Sequence, residues 1–71
     1  MINANRREIL RILEELSSAS PEVRFGQLIA NLSYLARGPS AESIWDMEDE
    51  ELLVAAQKHL ENLRSRHASV A

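Results

Sequence analysis

Two short breaks constrain this chain more than any other feature. Ser17-Ser18-Ala19-Ser20-Pro21 and Gly38-Pro39-Ser40 divide 71 residues into three stretches. Each stretch carries apolar residues at helical spacing, and none alternates strictly as a strand does. The expected fold class is all-α: a small three-helix bundle forming one domain over residues 1–71. The helices are predicted over about 5–17, 21–37 and 47–66.

The first helix has Asn3 or Asn5 as its cap, since a short amide accepts from the free N–H groups of the first turn. Ile9, Ile12, Leu13 and Leu16 share one sector, and Leu10 widens it enough to touch two neighbours. In the second helix Ser20 suits the cap, Pro21 the first helical position, and Glu22 the positive end of the dipole. Gly38 and Pro39 end it. Its stripe is Phe25, Leu28, Ile29, Leu32, Leu35 and Ala36. Gly26 lies within this helix at a cost of roughly 0.5–1 kcal/mol against alanine, a cost that close backbone approach would justify. Gly26, Ala30 and Ser33 share a flank and are the expected close-packing positions. The third helix starts between Asp46 and Asp49, with acids crowding its positive end and Lys58, Arg64 and Arg66 following, the favourable order for a helix dipole. Leu52, Leu53, Ala56, Leu60 and Leu63 form its buried stripe, and Val54 points away. Ile44 and Trp45, in the connection before it, are expected to fold back as an apolar plug over the helix ends.

Composition excludes several function classes. There is no cysteine, so no disulfide framework and no thiolate zinc site. No Ser-His-Asp or Cys-His set, phosphate loop or dinucleotide fingerprint is present, so catalysis and cofactors are not expected. His59 and His67 lie about 12 Å apart along a helix, too far to share one metal. No stretch approaches the roughly 20 apolar residues of a membrane span. Charges interrupt the apolar residues after Arg6 and Arg7, so no secretory signal is read and a cytoplasmic location is expected. Asn31-Leu32-Ser33, a glycosylation pattern by spacing, is then incidental. The net charge of −3 and the clustered acids argue against a DNA-binding face, and the second connection is too long for a helix-turn-helix.

Three polar clusters remain. Arg24, Gln27, Asn31 and Tyr34 fall within about 80° of arc beside the apolar stripe of the second helix. They form a candidate interaction strip for a peptide, phosphate or partner helix, or else the polar rim of the bundle. Residues 42–51 hold six carboxylates and no base, in a spacing that does not match a calcium loop. They read as a helix start, or as a docking surface for a basic partner. Arg6, Arg7 and Arg11 are interspersed with Glu8, Glu14 and Glu15, a solvated face with Arg11–Glu15 pairing.

Arg24-Phe25-Gly26-Gln27-Leu28, then Ile44-Trp45, then Glu48-Asp49-Glu50-Glu51-Leu52-Leu53 resemble a group of short bacterial and phage proteins with an R-[FL]-G-Q-[LI] segment, an apolar-aromatic pair and D-E-E-L. The resemblance covers about residues 20–60. Asp46 departs from it where an aromatic often stands, and Glu48 where a Ser or Thr cap is frequent. The group has no established activity, so the resemblance implies no function. It draws attention to Arg24 and Gln27 and implies that Gly26 is a packing glycine.

A chain this short buries a modest core, and without disulfide or metal the common remaining route to stability is oligomerisation. The sequence is therefore read as a small acidic protein-interaction module, expected to pair with itself as a homodimer or with another protein. Inhibition of a basic partner, in the manner of an antitoxin, immunity or phage-related protein, is the alternative.

Overall fold

A computed structural model describes residues 3–70, with side chains through Arg66. It is all-helical: α1 spans Ala4–Ala19, α2 Phe25–Arg37, α3 Ser43–Asp46 and α4 Asp49–Val70. None of the described helices is long and apolar enough to cross a membrane.

The first helix starts because Asn3 Oδ1 accepts from the Arg6 N–H at 2.9 Å, which selects Asn3 over Asn5 as the cap. It ends at Ser20, whose N–H donates to the Leu16 carbonyl. That bond overturns the expectation that Ser20 and Pro21 open the second helix. Ser20 closes α1 instead, its carbonyl accepts from the Val23 N–H, and residues 20–24 form a turn. Val23 is half-buried against the core, so the turn is anchored by an apolar side chain. The second helix then begins at Phe25, with Arg24 at its cap and no side-chain capping bond.

Gly38 ends α2 with φ 102 and ψ −174, backbone that is essentially open to glycine alone. Its N–H donates to the Tyr34 carbonyl at 2.7 Å. Its own carbonyl accepts from the hydroxyl of buried Ser43 at 3.0 Å, which fastens the connection beneath α3.

Ion pairs show how the elements run. Arg6 meets Asp49 at 3.0 Å, and Glu15 meets Arg64 at 2.6 Å. The starts of α1 and α4 thus lie together, as do their later turns, and the two helices are parallel. Arg37, at the end of α2, meets Glu51, at the start of α4, so α2 runs the other way. The longest helix packs against both α1 and α2, which barely meet each other, and α3 packs on α2. One core joins them: Ile12 and Leu16 from α1, Leu28 and Leu32 from α2, Ala56 and Leu60 from α4. Leu13, Val23, Leu52, Leu53 and Leu63 line its edge.

The arrangement is flattened, 38 × 29 × 18 Å, with a radius of gyration of 12.4 Å. A close-packed chain of this length comes out at about 11 Å. The backbones of α1 and α2 stand apart, and their apolar stripes are wider than their contacts. Leu10, Phe25 and Leu35 stay more than half exposed.

Two further expectations are corrected. Ile44 and Trp45 do not plug the bundle: they form part of the separate short helix α3, 44% and 70% exposed. Four residues of helix present only one side to α2, and Ser43 takes the inward position. Nor does Gly26 mark a close approach within the chain. A Cβ there would meet nothing within 4 Å, and Ala30 is exposed too. Of that flank only Ser33 is buried, its hydroxyl donating to the Ala30 carbonyl at 2.9 Å.

Candidate functional site

The outer junction of α2 and α4 holds an apolar concavity. It is an open groove of about 520 Å³ lined by Leu35 and Ala36 from α2 and by Glu50, Glu51, Val54, Ala55, Lys58 and Asn62 from α4. Helical periodicity builds it: Glu50, Val54, Lys58 and Asn62 are spaced four apart and line one face of α4. Leu35 is 54% exposed and Val54 62% exposed. Buried Ala55 and half-buried Ala36 form a small-residue floor. Leu35 counts as part of the apolar stripe in the sequence, and Val54 as an isolated outlier. Only the antiparallel packing of α2 on α4 makes them two walls of one groove.

The end of this groove is held by Glu51. Its Oε1 accepts from the Glu48 N–H at 2.8 Å, half of a capping box, while Leu52 N–H donates to the Glu48 carbonyl. Arg37 Nε donates to the same carboxylate at 3.1 and 3.2 Å. Together the Glu48 N–H, foremost, and the Arg37 guanidinium hold this carboxyl below its ordinary range. Glu51 therefore ties the start of α4 to the end of α2. Nothing in the sequence marked it out from the other acids of the run.

That run divides into two groups. Asp49 pairs with Arg6, Glu51 with Arg37, and Glu42 accepts from the Ser40 hydroxyl, which depresses its pKa. Asp46, Glu48 and Glu50 carry no ion pair among the described residues. The first group explains half of the acids as local structure; the second leaves exposed negative charge, of which Glu50 lines the groove.

The four strip residues are all exposed. Gln27 Nε2 donates to Asn31 Oδ1 at 2.8 Å, so these two are joined one turn apart. Arg24 stands in extended backbone before the helix, and Tyr34 is 58% exposed. Neither takes a side-chain hydrogen bond among the described residues, and no side chain of the four bonds to the connection between α2 and α3, which Tyr34 meets only through its backbone carbonyl. Asn31 also lines a cleft of about 380 Å³ with Glu22, His59 and Arg66, where the 20–24 turn meets α4. His59 is half-buried there, and the side chain of His67 lies outside the described residues. No group of three His, Asp or Glu among the described residues is placed to hold a metal ion. On the α1 face, Arg11 pairs with Glu15, as the spacing suggests, and also with Glu8.

A second apolar opening lies between α1 and α2, where Leu10, Leu13 and Phe25 surround a shallow recess with Glu14 as its one charged residue. No family model, curated protein or solved structure matches the chain.

Proposed function

We propose that this protein is a protein-interaction module, a three-helix bundle that completes its apolar packing by pairing with a second copy of itself. The observation that carries the reading is the groove at the α2–α4 junction. Leu35 and Val54 stand more than half exposed on either side of a small-residue floor, and among the described residues the largest fully buried side chains are Ile12, Leu16 and Leu32. Exposed apolar residues gathered in a groove mark a protein contact more often than scattered ones do. So small a core gains most from burial across an interface.

The test is the solution mass by light scattering over a wide concentration range. The expected mass at high concentration is about twice 8.0 kDa. A mass near 8.0 kDa throughout would contradict self-association. A second reading, docking of a basic protein, is favoured by the exposed Asp46, Glu48 and Glu50, which carry no ion pair among the described residues. Under that reading the native chain stays monomeric and binds a basic partner more weakly as salt rises.

A further inference from the structure

Resting on the self-association reading, we propose which face pairs and in what register: two α4 helices cross antiparallel about a two-fold axis at Val54, each seated on the α2–α4 groove of the other. Glu50, Val54 and Lys58 lie at i, i+4 and i+8 on one line of the helix, and all three are exposed. Glu50 and Lys58 sit about 6 Å to either side of Val54 along the axis. An antiparallel copy therefore places Glu50 against the partner copy's lysine and Lys58 against its glutamate, with valine on valine between them. A parallel copy would set like charge on like. The charge pattern is thus complementary to itself in one orientation alone, which is what an isologous contact requires.

Two more observations agree. The neighbouring acids Asp49 and Glu51 are held by arginines of their own chain, whereas Glu50 and Lys58 have no ion pair among the described residues. Ala36 and Ala55 keep the floor low enough for an approaching helix, with Leu35 standing at the side. The recess at Leu10 and Phe25 lacks this property: its one charge is Glu14, which a second copy would meet with the same acid.

The experiment combines charge reversal with crosslinking, read by light scattering and by gel mobility without reductant. Glu50→Lys and Lys58→Glu each set like charges together twice per dimer, so each should weaken dimerisation about tenfold or more. The double variant should recover the native affinity to within about threefold, an outcome that damage to the fold cannot imitate. Because the chain has no cysteine, Val54→Cys supplies one thiol per copy and should oxidise readily to a covalent dimer, while Leu10→Cys should not. If the native chain is dimeric but both charge variants bind as it does, and Leu10→Cys crosslinks in place of Val54→Cys, the proposed face is wrong and self-association stands. If the native chain is monomeric at every concentration, the self-association reading fails and this proposal with it.

Discussion

Two glycines behave in opposite ways because backbone geometry, not space, separates them. Neither has a heavy atom within 4 Å of where a Cβ would stand. Gly38 has φ 102, which L side chains rarely adopt, and Gly26 has ordinary helical backbone in the first turn of α2. Gly38→Ala should cost on the order of 1–3 kcal/mol. Gly26→Ala should raise stability by about 0.4–1 kcal/mol, mainly through the unfolded chain. Urea unfolding of the two variants checks both signs, and a loss of stability on filling Gly26 would restore it as a packing position. Here the sequence was half legible. A glycine before a proline reads directly as a helix end. A glycine inside a helix does not reveal whether anything lies opposite it, because that depends on where the neighbouring helices settle.

At the scale of elements, apolar periodicity located the three long helices, and the residues that compete for hydrogen bonds blurred their ends. Ser20-Pro21 has the chemistry of a helix start, yet the Ser20 N–H is taken by Leu16 and the turn at Val23 intervenes. The start of α4 shows the reverse case. Several acids qualified by type, and the choice fell to Glu51 because it sits three residues after Glu48 and opposite Arg37. Its depressed pKa makes this junction acid-sensitive. Folding favours the ionised carboxylate, so the contribution is complete above the ordinary value of 4.5 and is lost as pH falls from there through the depressed value. The melting temperature should drop over that range, and Glu51→Gln should melt lower at neutral pH and lose less on acidification. Parallel melting curves for the two proteins would remove Glu51 from this role. The short helix α3 was not legible, since four residues carry too little periodicity to separate from a loop. Trp45 is the only tryptophan, so its fluorescence reports the correction directly. The native protein should show a water-exposed indole open to iodide quenching, and protection from iodide would return Trp45 to the interior.

The whole molecule is defined by what its three long helices leave uncovered. The sequence foretold three apolar stripes but not how far each would be used, because stripe width is local and helix placement is not. With α1 and α2 both leaning on α4 and scarcely on each other, Leu10, Phe25, Leu35 and Val54 remain at the surface. The exposed ion pairs that clasp α1 and α2 to α4 are screened by water and do not replace a larger core. Arg24, Gln27, Asn31 and Tyr34 are exposed as well. If pairing supplies the missing burial, stability is coupled to concentration by mass action. The most direct measurement is the urea midpoint of the native chain at tenfold steps of concentration, from low micromolar to several hundred micromolar. The account predicts a midpoint that climbs with each step. A midpoint that stays fixed across the series would contradict it.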